Sequence, residues 1–306
     1  KIAEYFRAEY VKPAVVRSGR KIAGYKQSLK TVNRVLDELI DRFGPTDART
    51  ITYEDCRRFA EDLATTPTRH GRLPAPSTYH KKLSILSKVF RVAMQNRWID
   101  RNPMQGGRSL IRKADERPRN RMLGFEEEYR LLAACSGPRR HLLPYVLLAL
   151  DTGMRRGEIY DLRWWQVDLD QSVIYLTGSA ADATKTGAEG ILPMTKRLRD
   201  ELMLIRDARS SVSDADHVLA RTDFKRSWKS ACKAAQVEGL QFRDLRSPAA
   251  TRMLLSGVSG ELARKVTRHS RPETFLRHYT NVDVEIAREI GRKLDEMQKL
   301  QENAVS

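Results

Sequence analysis

Between Arg101 and Arg121 the chain carries Arg101, Arg108, Arg112, Lys113, Arg117, Arg119 and Arg121 against only Asp115 and Glu116, with glycines and prolines interspersed. Helical periodicity runs up to this stretch and resumes after it. The stretch therefore reads as a basic linker between two lobes. The length agrees: 306 residues make about two domains at roughly 150 residues each, and each can bury its own core. The expected organisation is a helical domain over 1–103, a linker over 104–121 and a second domain over 122–306.

In the first lobe, Tyr25, Leu29, Val32, Leu36, Leu39 and Phe43 recur at three- and four-residue steps. That spacing predicts an amphipathic helix over 22–43, stopped by Gly44-Pro45. Thr52 followed by Glu54 and Asp55 predicts an N-cap with first-turn acids, and Phe59 and Leu63 mark the apolar side of the helix that follows. Ser77 can cap a third helix with Leu83, Leu86, Phe90, Ala93 and Met94 on one face. Its other face holds His80, Lys81, Lys82, Lys88 and Arg91. A solvated polar face is the plain reading of such a run, but nearly all its charge has one sign, which suits an acidic partner.

The second lobe opens with helices expected over 125–134 and 142–150. Val173-Ile174-Tyr175-Leu176 and Ile191-Leu192-Pro193 flank a loop rich in Ala, Thr and Gly, which predicts a β-hairpin. Helices are expected again over 195–209, 224–235, 248–255 and 260–266, and a last one over 284–300 carries Ile286, Ile290, Leu294, Met297 and Leu300 at helical steps. The fold class is thus mainly α with a small hairpin or sheet in the second domain.

Charge narrows the function. Lys and Arg number 56 against 39 Asp and Glu, a formal net charge of +17, while 41% hydrophobic content keeps the chain globular. Nucleic acid is the first candidate partner, and a merely solubilising surface charge the second. Cys56, Cys135 and Cys232 lie far apart and share no metal-ligand spacing with the six histidines, so neither a disulfide framework nor a zinc module is expected. The longest apolar run, 142–150, is broken by Pro144 and is half a membrane span, and nothing near Lys1 reads as a secretory signal. A soluble protein of a reducing compartment is expected, with no membrane partner. Because the chain starts at Lys1 and not at Met, residues preceding it can be missing.

Thr152-Gly153-Met154-Arg155-Arg156-Gly157-Glu158-Ile159, with Leu162-Arg163-Trp164 after it, resembles the first active-site box of the tyrosine recombinase (phage integrase) family. The family's next segments follow in order. Thr184-Lys185-Thr186-Gly187 stands where the family keeps a strand-borne lysine, Phe242-Arg243-Asp244-Leu245-Arg246 in its second box, His269-Ser270 in place of Gly-His-Ser, and Leu276-Arg277-His278-Tyr279-Thr280 at the nucleophile. The basic helical first lobe, with its Asn102-Pro103 exit, is similar to the family's core-binding domain.

The resemblance implies a site-specific DNA recombinase, an integrase or resolvase, that cleaves and rejoins strands through a 3′-phosphotyrosyl intermediate. Keeping the energy of a phosphodiester for religation requires a covalent link to a side chain, and Tyr279 is the implied nucleophile. Arg155 and Arg246 would hold the two non-bridging oxygens with planar guanidinium forks. Lys185 would protonate the departing 5′ oxygen, and His269 would hydrogen-bond the phosphate or help deprotonate the tyrosine. These side chains supply the cations, so no metal, ATP or other cofactor is expected. Lys81, Lys82, Lys88, Arg91, Arg112, Lys113, Arg117 and Arg119 are the expected DNA-backbone contacts. The family scheme further implies a two-lobe clamp on double-stranded DNA, a dimer on one site and a tetramer in synapsis. The helix over 284–300 would dock on a neighbouring protomer or fold back on its own domain. A directionality factor and a nucleoid-associated place in a bacterial cytoplasm complete the scheme.

Each residue has a plainer role open to it. Arg155 can be a helical salt-bridge partner of Glu158, Tyr279 a half-buried aromatic, Lys185 an exposed loop lysine like Lys196, and His269 a capping or core histidine. The second box also departs from the family pattern, with Arg243 in place of His or Lys and Ser247-Pro248 in place of His-Thr. Arginine cannot act as a general base, although it can donate to phosphate. Arg268 replaces the glycine before His269, adding bulk and charge. Pro248 is tolerable if Ser247 or Asp244 caps a helix there. The rival functions are a DNA-binding accessory protein that has lost cleavage and a type IB topoisomerase, which would relax supercoils without paired sites.

Overall fold

The computed structural model describes residues 1–17, 20–24, 29–116, 121–176, 189–268, 275 and 291–292. The chain divides into two compact units, Lys1–Arg119 and Asn120–Ser306.

The first unit runs α1 (Ile2–Tyr10), an antiparallel pair β1 (Val15–Arg17) and β2 (Arg20–Ala23), α2 (Leu29–Phe43), α3 (Tyr53–Thr65) and α4 (Pro76–Gln95). Three- and four-residue steps put Val32, Val35, Leu36 and Leu39 of α2 on one buried stripe. They meet Phe6, Cys56, Phe59 and the α4 residues Leu83, Leu86, Val89, Phe90 and Ala93. The cap expected before α3 is present: Thr52 Oγ1 accepts from the Asp55 N–H, and Asp55 Oδ2 accepts from the Thr52 N–H at 2.9 Å.

The structure departs from three expectations in this unit. The helix expected from residue 22 begins only at Leu29, because Ile22 lies on β2 with its side chain exposed and Gly24 turns the chain at φ 72°. Ile22 happens to fit the three-residue step without belonging to the stripe, and Tyr25 lies outside the described residues. Helix α4 starts at Pro76 behind Ala75, so Ser77 lies inside it and does not cap it. Because α4 packs against α1, α2 and α3, its buried arc is wider than one stripe and takes in His80, while Met94 is exposed.

Part of the stretch read as linker belongs to the first unit. Asn102 Oδ1 accepts from the Met104 N–H at 3.1 Å, Tyr53 Oη donates to Arg108 O at 2.8 Å, and His80 Nδ1 lies 2.9 Å from Glu116 Oε1. Met104 is buried, and Leu110 and Ile111 pack against the core. These apolar residues sit among the arginines, and a reading by charge passes over them.

The second unit runs α5 (Phe125–Ala134), α6 (Leu143–Thr152), α7 (Arg156–Asp161), β3 (Val167–Asp168), β4 (Val173–Leu176), β5 (Gly190–Pro193), α8 (Lys196–Asp207), α9 (Lys225–Ala234), α10 (Arg246–Leu255) and α11 (Gly260–Val266). Helix α6 is buried on every side from Pro144 to Thr152, as a helix apolar all round must be, and it packs against α7, α8, α10 and β5. The expected hairpin is β4 with β5, paired from Val173 with Pro193 to Leu176 with Gly190. Alternation turns Ile174, Leu176 and Leu192 into the core. Strand β3 adds a third antiparallel strand, too short at two residues to leave an alternating signature. The fold is mainly helical with one small three-stranded sheet in this unit.

Cys56, Cys135 and Cys232 are free and buried, and burial pushes their thiols up to about 12, 11 and 11. No helix among the described residues is long and apolar enough to cross a membrane.

Candidate active site

Helix α6 ends at Gly153, whose φ of 68° and ψ of 22° lie in the left-handed region. A side chain on this glycine would stand 3.4 Å from Ala249 Cβ and from Thr267 Cγ2, so the turn is also closely packed. Thr152 Oγ1 accepts from the Met154 N–H at 3.2 Å, and Met154 is buried as an anchor. The reversal delivers Arg155 to the start of α7.

Two further segments close on this turn. Arg246, the first residue of α10, donates from Nη1 to Gly153 O and from Nη2 to Thr267 O. The guanidinium thus joins the α6–α7 turn to the residue after α11, although these points are 93 and 21 residues away along the chain. Opposite it, Glu158 accepts from the Arg155 N–H at 2.8 Å, from Arg155 Nη1 at 2.7 Å and from Arg268 Nη2 at 2.5 Å. Burial alone would push the Glu158 carboxyl up, but the Arg268 charge and the Arg155 backbone and guanidinium bonds bring it below the usual carboxylate range. For Arg268 burial dominates, and its guanidinium is brought below the usual arginine range.

Behind this turn lies a second charged cluster. Asp151, fully buried on α6, accepts from Thr195 Oγ1 at 2.5 Å and from Arg197 Nε at 2.9 Å. Glu128 of α5 pairs with Arg197 at 3.1 Å and with Arg252 of α10, which also donates to Leu150 O at 3.3 Å. Burial brings the Arg252 guanidinium down to about 10. Together these bonds fix α5, α8 and α10 to the last turn of α6, the base from which the Gly153 turn springs.

The profile of the phage integrase family matches residues 121–285, more than half of the chain. The chain belongs to the phage integrase family. A shufflon-specific DNA recombinase of Escherichia coli is 30% identical over 236 residues, covering 76% of this chain and 56% of that protein. Tyrosine recombinase XerA of Thermococcus kodakarensis is 28% identical over 183 residues, covering 57% of this chain and 63% of that protein. The chain thus spans less than two thirds of these relatives. Among solved structures, the Tn1549 transposon integrase in complex with circular intermediate DNA has a similar fold, with a TM-score of 0.68 at 16% identity over 94% of this chain and 96% of that one. A lambda integrase dimer bound to a core site gives 0.64 at 16% identity over 83% and 89%.

Of the residues expected at the phage integrase site, Arg155 and Arg246 are brought to one turn. Arg243 lies in the short turn before α10 with its side chain 72% exposed, its Nε 3.9 Å from Asp244 Oδ1. Lys185, His269 and Tyr279 lie outside the described residues, as do Arg117 and Arg119 and nearly all of 284–300. Pro248 occupies the first turn of α10, where it displaces no intrahelical bond. The capping expected of Ser247 or Asp244 is corrected: α10 has no side-chain cap, and Asp244 instead accepts from the Gln241 N–H at 2.8 Å.

In the first unit, Lys81, Lys88 and Arg91 are exposed on one stripe of α4, and Arg112 and Lys113 are exposed beyond it. Lys82 is partly buried and pairs with Glu38 of α2 at 2.5 Å, and His80 is drawn inside to Glu116. Sequence reasoning missed Glu158 as the residue that gathers two guanidiniums, and it missed the Asp151 cluster. A carboxylate directly after the apolar run 142–150 was the available signal for the second, since a buried acid must be paired.

Proposed function

We propose that this chain is the DNA-cleaving part of a site-specific recombinase that breaks and rejoins strands through a 3′-phosphotyrosyl intermediate. The observation that carries the reading is the Arg246 guanidinium bonded to Gly153 O and Thr267 O, which gathers the first box, the second box and the segment leading to His269 at one turn. In this reading Arg155 and Arg246 turn their guanidiniums onto the non-bridging oxygens of the scissile phosphate, where negative charge builds in the transition state. Tyr279 Oη attacks the phosphorus in line, the P–O5′ bond breaks, and Lys185 gives the departing oxygen its proton. His269 bonds the phosphate or receives the tyrosine proton, and Arg243 adds a hydrogen bond to phosphate. Attack by the 5′ hydroxyl of another strand reverses the step and frees Tyr279. Arginine and lysine supply every positive charge the step needs.

The exposed stripe Lys81, Lys88 and Arg91, with Arg112, Lys113, Arg117 and Arg119, meets the backbone of the same duplex, Lys82 adding a partly paired cation. Paired exchange of strands requires two sites, hence a dimer on each and a tetramer in synapsis. That the shufflon-specific recombinase and XerA are recombinases, and that the Tn1549 integrase is bound to DNA, supports the recombinase part of this reading.

The test incubates the protein and its Tyr279→Phe variant with supercoiled DNA carrying its genomic flanks, stops the reaction in detergent and assays protein bound covalently to a 3′ end. An adduct with the wild type and none with the variant is expected. If both proteins retard DNA in a salt-dependent way and neither forms an adduct, the chain is a binding protein and the proposal fails.

A further inference from the structure

Arg268 is placed at a cost. Its φ of 53° lies in the left-handed region that glycine occupies freely and other residues occupy under strain. It is only 5% exposed, yet it ends in a guanidinium whose Nε and Nη1 have no hydrogen-bond partner among the described residues. Its aliphatic stem passes over Gly190 of β5, where a side chain would meet Arg268 Cδ at 3.4 Å. A residue held against strain and desolvation needs a reason, and among the described residues its ion-pair partner is Glu158, whose Oε2 accepts from Arg268 Nη2 at 2.5 Å.

Glu158 already has Arg155 on its other oxygen at 2.7 Å. One carboxylate therefore serves two guanidiniums. If Arg155 alone faced Glu158, its turning to a phosphate would strand a carboxylate that is 3% exposed, beside an incoming negative charge. With Arg268 in place the carboxylate stays neutralised when Arg155 leaves.

We infer that Arg268 is a positioning residue that holds the charge of Glu158 so that the Arg155 guanidinium is free to take a DNA phosphodiester. The inference rests on the strand-cleaving reading for its phosphate. It assigns to Arg268 no contact with DNA: the residue acts through Glu158.

The experiment is a double-mutant cycle of wild type, Arg268→Met, Glu158→Gln and the double variant, with Arg268→Gly and Arg268→Lys beside it. Two quantities are read on supercoiled DNA carrying the genomic flanks: the rate of covalent adduct formation at saturating protein, and retention of the DNA at rising salt. Melting temperatures check folding, and Arg268→Gly removes the charge while relieving the left-handed backbone. Arg268→Met and Arg268→Gly are expected to slow adduct formation on the order of tenfold to a hundredfold, as loss of one partner of a buried charged pair does. Arg268→Lys, which keeps the charge, should recover part of the rate. Adding Glu158→Gln to Arg268→Met should restore it to within about threefold of Glu158→Gln alone, because a neutral amide no longer detains Arg155. A purely structural clamp predicts the reverse, a double variant as slow as or slower than Arg268→Met, and that result overturns the inference, as does an Arg268→Met rate equal to wild type. If the wild type forms no adduct, the strand-cleaving reading fails and the retention cycle decides: weaker retention by Arg268→Met with recovery in the double variant supports the inference, and equal retention overturns it.

Discussion

Two charged clusters lie at opposite ends of one turn and are built differently. Behind the turn, Asp151 and Glu128 face Arg197 and Arg252, two carboxylates against two guanidiniums. In front of it, the single carboxylate of Glu158 faces Arg155 and Arg268. The first set is balanced and ties three helices to the end of α6. Among the described residues the second has a cation in surplus, and it sits where Arg246 joins three segments. Balance suits a fastening, and surplus positive charge suits a place that awaits an anion.

The comparison breaks first at its balanced end. Asp151→Ala removes a buried carboxylate from two arginines and a threonine, and a loss of about 3–5 kcal/mol is expected in denaturant or thermal unfolding. Asp151→Asn keeps the shape and should lose less. If Asp151→Ala unfolds like the wild type, the cluster is not the fastening described.

At the front, acid separates the roles. The Glu158 carboxyl is held below the usual range, so the stability it contributes is present above the unfolded value of about 4.3 and is lost as pH falls toward the lower folded value. Unfolding followed between pH 6 and pH 3 should show a shallower acid loss in Glu158→Gln than in the wild type.

A smaller effect is expected at the hinge between the clusters. Gly153→Ala forces a side chain into a left-handed backbone, and a loss of about 1–2 kcal/mol in thermal unfolding is predicted. The smallest change belongs to the first unit. Lys81 is exposed on α4, and Lys81→Ala should weaken DNA retention modestly and reduce the slope of log affinity against log salt by about 1. A larger slope change would mean that Lys81 does more than meet one phosphate.

Most helices could be read from spacing because each has one apolar side, as in α5 and α11, whose bounds agree residue for residue with the expectation. What spacing missed was set by contacts distant in the chain. Ile22 fits a helical step yet lies on a strand, His80 is drawn inside by Glu116, and β3 owes its existence to β4. The motifs singled out Arg155 and Arg246, but nothing in the order of residues says that Glu158 is shared with Arg268, because that bond spans 110 residues. Read along the helix, Glu158 is a local partner of Arg155; read in space, it is the centre of the surplus.

The most direct test of that surplus measures DNA retention and covalent adduct on the same samples for the wild type and an Arg155→Lys, Arg246→Lys double variant. Lysine keeps each charge but not the planar fork. The account predicts retention within about threefold of the wild type and a loss of adduct of about a hundredfold or more, at least that of one missing oxyanion donor. Adduct formed at the wild-type rate would contradict it, and so would retention and adduct falling together by the same factor.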